Sequence, residues 1–271
     1  MHGRMGCNTQ VQAAEAVAVA GTLEGRVAFV VGTGPNIGGA ITKVLAAQGA
    51  AIVCIDARLE QAERAAAEIN ASGGRAAGFA ADITRPDEVA ASFDRGVEAF
   101  GRIDISVNNA AITHKGTILD TSLEEWQHVL DVSLTGPFLA GQAAARRMVE
   151  QGTGGAIVNI CSTSGHRGGT KAIAYATAKA GILNLTRSMA VQLAPHGIRV
   201  NSVTPTQTGT PVGKETARAD DGPPKSIPLG RWGQPSDQAQ AVLFLVSPAA
   251  DFITGVDLPV DGGLLASIAK G

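Results

Sequence analysis

Three polar residues in the second half of the chain have the types and spacing of an acid/base site. Tyr175 and Lys179 are four residues apart, so on a helix they share one face and bring an ammonium group beside a phenol. A neighbouring positive charge lowers the pKa of a tyrosine from about 10 towards neutrality. Ser162 precedes this pair and adds a hydroxyl group. Tyr175 is the single tyrosine of the chain, and a surface Tyr–Lys pair on an amphipathic helix is the alternative interpretation.

A glycine-rich turn near the N-terminus has the composition of a phosphate-binding loop. Gly32–Gly39 follows an apolar run and directly precedes a helical pattern. Such a turn lets the backbone approach a pyrophosphate, and the positive end of the helix dipole favours its charge. Asp56 lies where an acidic residue accepts hydrogen bonds from an adenosine ribose and repels a 2′-phosphate. Arg58 is a competing signal for that phosphate, and Asp56 also suits a helix cap.

The elements that position these residues alternate between strands and helices. Short apolar runs alternate with Ala-rich stretches that carry charges at helical spacing, which predicts an α/β protein with parallel strands and crossover helices. The predicted strands are Val27–Val31, Ala51–Ile55, Ala76–Ala80, Ile103–Val107, Ala156–Ile160, Arg199–Val203 and Val256–Val260. The predicted helices span residues 37–48, 59–71, 86–99, 122–149, 173–194 and 235–246.

Composition and charge exclude several classes of protein. The 271 residues carry 22 Lys and Arg against 24 Asp and Glu, a net charge of −2 without a basic stripe, so a nucleic-acid partner is not expected. No run approaches the ~20 apolar residues that a membrane span needs. The three cysteines are widely spaced, which predicts a reducing, cytoplasmic location and no metal centre.

The chain divides into a tail and one domain in this interpretation. Residues 1–22 are predicted to be a mobile or oligomer-contacting tail, and residues 23–271 a single dinucleotide-binding catalytic domain. Within that domain, residues 206–229 contain four prolines and three glycines. This stretch is too long for an ordinary connection, so it is predicted to form a lid over the substrate.

Together these motifs resemble the short-chain dehydrogenase/reductase family. The resemblance also includes Asp82-Ile83, Asn108–Ala111, Pro205 and Val260–Gly263, and it covers about residues 23–266 in order. It implies a Rossmann-type fold, that is, a doubly wound, seven-stranded, mostly parallel sheet with helices on both faces. It also implies hydride transfer between a nicotinamide cofactor and a secondary alcohol or ketone.

The resemblance implies a role for each matching residue. Ser162 would hydrogen-bond the substrate oxygen, Tyr175 would act as general acid/base, and Lys179 would lower the tyrosine pKa and hold the nicotinamide ribose. The implied cofactor contacts, besides Tyr175 and Lys179, are Gly32, Asn36, Ile37, Gly38, Asp56, Asp82, Ile83, Asn109, Ala110, Pro205, Thr208 and Thr210. Asp56 favours NAD over NADP. The implied assembly is a homotetramer or homodimer built from the long helices near 122–149 and 173–194.

Two departures from the family pattern affect the expected site. Asn36 stands where the family usually has glycine, and asparagine is the next most tolerant residue for positive φ. Ser133 stands where many members have an asparagine that anchors a water in the proton relay. A serine hydroxyl can also bind a water, so Ser133 is expected to be a fourth catalytic residue.

The sequence leaves the substrate and three functions open. Basic residues near the expected pocket and lid suggest a small substrate with an anionic group, although solvated loop residues are the alternative: His114, Lys115, His166, Arg167, Lys171, Lys214, Arg218 and Lys225. The leading function is an NAD-dependent alcohol dehydrogenase or ketone reductase. A 3-oxoacyl thioester reductase would normally prefer NADPH, so Asp56 disfavours it. A catalytically silent nucleotide-binding sensor is disfavoured by Ser162, Tyr175 and Lys179.

Overall fold

A computed structural model of the protein describes residues 21–209 and 226–267, in which seven strands form one sheet. The strands are Val27–Val31 (β1), Ala51–Asp56 (β2), Arg75–Ala80 (β3), Ile105–Asn108 (β4), Gly155–Ile160 (β5), Ile198–Pro205 (β6) and Asp257–Val260 (β7). Their order is β3-β2-β1-β4-β5-β6-β7, and each neighbouring pair is parallel. The predicted Rossmann-type, doubly wound fold is therefore confirmed. The predicted tail, apart from residues 21 and 22, and most of the predicted lid lie outside the described residues.

Seven α-helices of the described residues connect or follow the strands. They are Ile37–Ala47 (α1), Leu59–Ala71 (α2), Pro86–Phe100 (α3), Leu123–Leu130 (α4), Gly136–Gln151 (α5), Ile173–Leu193 (α6) and Pro235–Val246 (α7). In the part of the chain that the structure describes, no helix is both long and apolar enough to cross a membrane.

The single helix predicted over 122–149 is wrong in one respect. A π-helical turn at Asp131–Thr135 separates α4 from α5. Pro137 has no N–H group, so it cannot donate the usual helical hydrogen bond to the carbonyl of Ser133 four residues earlier. The helical path therefore widens just before this proline, and the widened turn contains Ser133.

Apolar side chains cover the sheet on both faces, as continuous apolar strands require. On one face, Val30 and Ile52 belong to a buried cluster with Leu45 of α1. On the other face, Phe29 belongs to a second cluster with Phe93 of α3, and the two rings stack 5.1 Å apart. This two-sided packing holds the strands together, and because all neighbouring pairs are parallel, their carboxyl ends lie at one edge of the sheet.

Strand β4 begins two residues later than predicted, after Asp104, whose side chain binds the start of β1. Its buried carboxylate accepts hydrogen bonds from the main-chain N–H of Val27 at 2.9 Å and from the Arg26 and Arg102 side chains. These contacts anchor the start of β1 beside the start of β4.

Candidate active site

A cleft of about 1200 Å³ opens at the carboxyl ends of the strands. Its wall includes Gly32 after β1, Asp56 at the end of β2, Asn109 after β4, Ser162 after β5 and Pro205 at the end of β6. The strand order reverses between β1 and β4, and ligands of open α/β sheets bind outside the carboxyl ends at such a switch point.

The glycine turn is packed closely against the loop after β4. Gly32 has φ +89°, and a side chain there would place its Cβ 2.7 Å from the main-chain nitrogen of Ala110. A Cβ at Gly38 would overlap the carbonyl oxygen of Gly32. Asn109 Nδ2 donates a hydrogen bond of 2.6 Å to that same oxygen. The turn therefore requires glycine at both positions and is held by Asn109.

Asn36 precedes α1 and does not use the positive φ that its type suggested. Its φ is −101°, so the left-handed residue of this turn is Gly32. No side-chain hydrogen bond caps the N-terminus of α1. Asn36, Ile37 and Gly38 all line the cleft, so the positive end of the helix dipole and its first amides adjoin the space where an anion can bind.

Asp56 and Arg58 place opposite charges at the end of the cleft beside β2. Both line it. Asp56 Oδ1 accepts a hydrogen bond of 3.2 Å from the main-chain N–H of Arg58, which directly precedes α2. This bond reaches only the residue that precedes the helix, and no side-chain hydrogen bond caps α2, so the capping interpretation of Asp56 is wrong. The second carboxylate oxygen is not used in this bond.

Ser162, Tyr175 and Lys179 meet at the other end of the cleft and all line it. Ser162 lies two residues after the end of β5. Its Oγ accepts a hydrogen bond of 3.1 Å from the Ser164 N–H. Tyr175 and Lys179 lie on α6, and the Lys179 Nζ is 5.6 Å from the centre of the tyrosine ring. Lys179 is only 2% exposed, and its Nζ donates a hydrogen bond of 2.8 Å to the Ile160 carbonyl.

Burial sets the charge states of this group. Desolvation raises the pKa of Tyr175 to about 12, although a hydrogen bond with Ser162 opposes the shift. Desolvation lowers the pKa of Lys179 to about 8. Lys179 therefore loses its proton before Tyr175 does and is neutral at the pH where the phenol ionises. The expectation that Lys179 lowers the tyrosine pKa is not met within the polypeptide alone.

Ser133 is not part of the cleft wall, and its expected role in a proton relay stays a prediction. It is fully buried in the π-helical turn. Its hydroxyl donates a hydrogen bond of 3.0 Å to the Ile112 carbonyl and accepts one of 3.1 Å from the Ile112 N–H. Because Ile112 lines the cleft, Ser133 acts on the site through the position of this loop.

The remaining predicted contacts divide into three groups. Ile83, Ala110, Pro205 and Thr208 line the cleft. Asp82 does not, since its exposed carboxylate accepts hydrogen bonds from the Thr84 N–H and hydroxyl, which hold its pKa below the usual value. Thr210 lies outside the described residues.

Four apolar residues of the wall were not predicted from the sequence. Ile112, Val132, Ile227 and Leu264 line the cleft. They come from four separate segments, so no periodicity or motif links them in the sequence.

Two matches with known proteins decide the family. The family model described as enoyl-(acyl carrier protein) reductase matches residues 32–265. The crystal structure of a short-chain type dehydrogenase/reductase from Mycobacterium marinum superposes with a TM-score of 0.82 at 37% identity, covering 90% of this chain and 97% of that one. The chain belongs to the short-chain dehydrogenase/reductase family.

Two curated dehydrogenases show the same relationship along nearly their whole length. The chain is 39% identical over 246 residues to D-threitol dehydrogenase of Mycolicibacterium smegmatis (strain ATCC 700084 / mc(2)155), covering 89% of this chain and 93% of the relative. It is 41% identical over 243 residues to cis-4-hydroxycyclohexanecarboxylate dehydrogenase of Sinomonas cyclohexanicum, covering 89% and 97%. This short-chain dehydrogenase/reductase is accordingly an oxidoreductase of small molecules.

Short-chain dehydrogenases generally use a nicotinamide cofactor, and the cleft suits such a group. The closely packed glycine turn and the uncapped N-terminus of α1 match the size and charge of a pyrophosphate. Within residues 21–209 and 226–267, no group of three or more His, Cys, Asp or Glu side chains is arranged to hold a metal ion.

Proposed function

We propose that this chain is an NAD(H)-dependent oxidoreductase that interconverts a secondary alcohol and a ketone, with Tyr175 as general acid and base. The observation that carries the proposal is the layout of one cleft. Ser162, Tyr175 and Lys179 line one end, and the glycine turn with Asp56 lines the other. An acid/base group thus faces the same space as a site suited to a dinucleotide.

The residues at the β1 and β2 end would hold the cofactor. Gly32, Ile37 and Gly38 would bind its phosphates through main-chain groups, and the Asp56 carboxylate would accept hydrogen bonds from the adenosine ribose. The nicotinamide, when bound, supplies or accepts the hydride. Lys179, which lines the cleft although it is buried, would donate to the nicotinamide ribose.

The residues at the β5 and α6 end would handle the proton. Ser162 would donate a hydrogen bond to the substrate oxygen, and the Tyr175 phenol would exchange a proton with it. Since the pKa of Tyr175 is raised to about 12, the phenol holds its proton at neutral pH. The polypeptide by itself therefore favours the proton donor that ketone reduction requires.

The cofactor choice rests on Asp56. Its carboxylate would repel the 2′-phosphate of NADP, whereas Arg58 on the same rim would attract that phosphate. We expect Asp56 to dominate because it lies at the strand end, and we expect NAD to be preferred by at least about tenfold, or about 1.4 kcal/mol.

Initial rates with NAD⁺ and NADP⁺ on a panel of secondary alcohols test the proposal. Asp56→Ala should reduce the preference for NAD, and Arg58→Ala should not. Equal or better kinetics with NADP⁺ would refute the cofactor assignment, and no activity on any alcohol or ketone would refute the reaction.

A 3-oxoacyl thioester reductase is the second candidate. It is supported by the 34% identity over 244 residues to a 3-oxoacyl-(acyl-carrier-protein) reductase of Thermotoga maritima, and by Arg58 on the cleft rim. NADPH oxidation with a 3-oxoacyl thioester, faster than any reaction of the alcohol panel, would favour this candidate.

We further propose that the protein is a homodimer or homotetramer. The helices predicted to form the contact leave large apolar side chains exposed: Leu123 (80%), Phe138 (42%) and Val191 (77%). Burial of such side chains at a symmetric contact would stabilise an assembly. A monomeric mass by light scattering at micromolar concentration would refute it.

A further inference from the structure

The charged side chains of the cleft are unevenly distributed. Among the described residues that line it, those with carboxylate, ammonium or guanidinium groups are Asp56, Arg58, Arg167 and Lys179. The first two lie beside β2, at the end assigned to the ribose. Lys179 is buried and donates to the Ile160 carbonyl. Arg167 is the exposed charge on the segment that follows Ser162, at the end assigned to the substrate.

The segment that carries Arg167 is anchored on its N-terminal side. After Ser162 the chain makes one 3₁₀ turn, Thr163–Gly165, and His166 follows. The His166 Nε2 lies 3.0 Å from Asp257 Oδ2 and 3.3 Å from the Thr204 hydroxyl. These contacts join the segment to β6 and β7. The contacts of His166 therefore hold the backbone next to Arg167 in place beside the substrate end of the cleft.

The acidic residue of this region, Asp257, already has hydrogen-bond partners of its own. The Asp257 carboxylate is 10% exposed and accepts hydrogen bonds from Ser202 and Thr204 in addition to its pairing with His166. Within residues 21–209 and 226–267, no acidic side chain forms an ion pair with Arg167. The guanidinium thus faces the cleft with its charge uncompensated by the described protein.

The chemistry of a lone guanidinium favours one class of anion. Its planar fork donates two parallel hydrogen bonds to a carboxylate. One positive charge balances one carboxylate, whereas a phosphate dianion would leave net negative charge here. The nearby Lys171 is exposed and is not part of the cleft wall, and His166 is already paired with Asp257.

We propose that Arg167 is a specificity-determining residue that binds a carboxylate on the secondary-alcohol or ketone substrate. This inference rests on the proposed function, because it takes the Ser162 and Tyr175 end of the cleft as the substrate end. The substrate is then a hydroxy acid or the corresponding oxo acid, with the carboxylate held by Arg167 and the reacting oxygen placed beside Tyr175.

The first test compares matched substrates that differ only in charge. Hydroxy acids with different spacings between hydroxyl and carboxylate, such as 3-hydroxybutanoate and 4-hydroxypentanoate, are assayed beside their primary amides. For the acid with the highest kcat/KM, Arg167→Gln should raise KM at least about tenfold, the scale of a lost charge-assisted hydrogen bond, with kcat little changed. The amide should change less than about twofold.

Two further variants separate the position of Arg167 from its charge. Lys171→Gln removes a cation from the same loop but not from the cleft wall, and it should leave the acid-to-amide ratio unchanged. Arg167→Lys keeps the charge without the fork, and it should retain part of the preference for the acid. An unchanged ratio in Arg167→Gln, or an equal change in Lys171→Gln, would overturn the inference.

A binding measurement separates this inference from the proposed function. Calorimetric titration of the NADH-loaded protein with the same acids and amides needs no turnover. Tighter binding of at least one acid, lost in Arg167→Gln, supports the inference even if no alcohol is oxidised, in which case the proposed function alone fails. If the wild-type protein oxidises the panel but binds no acid more tightly than its amide, the inference fails and the proposed function stands.

Discussion

At the scale of single residues, burial has opposite consequences for the two titrating groups of the site. The neutral form is favoured in both, so the pKa of Tyr175 rises to about 12 and that of Lys179 falls to about 8. A protein with this arrangement holds the phenol proton firmly. The hydrogen bond with Ser162 already opposes this rise, so a further lowering of the phenol pKa requires positive charge that enters the cleft.

The phenol pKa can be measured directly because Tyr175 is the single tyrosine. Phenolate absorbance in the near ultraviolet, followed against pH, should show less than about a tenth of the phenolate at pH 11, whereas the unfolded chain should show about nine-tenths. Far-ultraviolet circular dichroism at the same pH checks that the protein is folded. A midpoint near 10 in the folded protein would contradict the effect of burial.

Lys179 should lower stability at neutral pH. Its pKa falls from 10.5 to about 8 on folding, so the unfolded chain binds more protons between these two values and stability rises with pH across that window. Lys179→Met removes the buried charge and should stabilise the protein by about 3 kcal/mol at pH 7, less the lost hydrogen bond to Ile160.

Denaturant unfolding at pH 7 and pH 9.5 measures this effect. The increase in the free energy of unfolding caused by Lys179→Met should fall by more than half at pH 9.5, where Lys179 is already neutral in the folded protein. Lys171→Met, at an exposed position, is the control and should show no such pH dependence. A gain that is equal at both pH values would show that the lysine is not desolvated.

At the scale of elements, the π-helical turn between α4 and α5 connects packing to the site. Ser133 from this turn holds both main-chain groups of Ile112, which lines the cleft. The turn thus fixes a loop that runs from Asn109 to Ile112 along one wall. Asn109 fixes the other end of the same loop through the Gly32 carbonyl.

Ser133→Ala should lower the free energy of unfolding by about 1–3 kcal/mol, because the N–H and carbonyl of Ile112 lose their partner. Ser106→Ala is a matched control, since Ser106 is also fully buried but its hydroxyl has no hydrogen-bond partner among the described residues. That variant should be neutral or slightly stabilising. Equal losses in both variants, measured by denaturant unfolding, would argue against the tie between Ser133 and Ile112.

The elements were predictable from the sequence where one physical pattern dominated. The strands β1 and β2 are unbroken apolar runs, and both formed within one residue of their predicted bounds. The start of β4 was not predictable, because the carboxylate of Asp104 binds Val27 from a distant part of the chain. The π-helical turn leaves a signal at Pro137, but helical periodicity alone does not indicate how the chain accommodates a proline.

The acid/base residues of the site were predictable from the sequence, but the full wall of the cleft and its contacts were not. Spacing and motifs brought Ser162, Tyr175 and Lys179 to one cleft, as the sequence analysis expected. The orientation of the Asp82 carboxylate depends on its hydrogen bond with Thr84. The hydroxyl of Ser133 bonds to Ile112, which is 21 positions away along the chain. Such tertiary hydrogen bonds have no signature in sequence spacing.

At the scale of the whole molecule, the strand order brings distant segments to one edge. Strands β2 and β3 are added on one side of β1, and β4 to β7 are added on the other side. The loops after β1 and β4 therefore line the same cleft as those after β5 and β6. A site suited to a dinucleotide and an acid/base pair then face one space. The central claim is that Tyr175 exchanges the substrate proton in that space.

Turnover of Tyr175→Phe on a verified alcohol, measured with NAD⁺ beside the wild-type protein, tests this claim most directly. The substitution removes the exchangeable proton and keeps the ring, so kcat should fall at least about 100-fold while the affinity for NADH, measured by fluorescence titration, changes little. Near-normal turnover would contradict the account, because the chain contains no second tyrosine that could replace Tyr175.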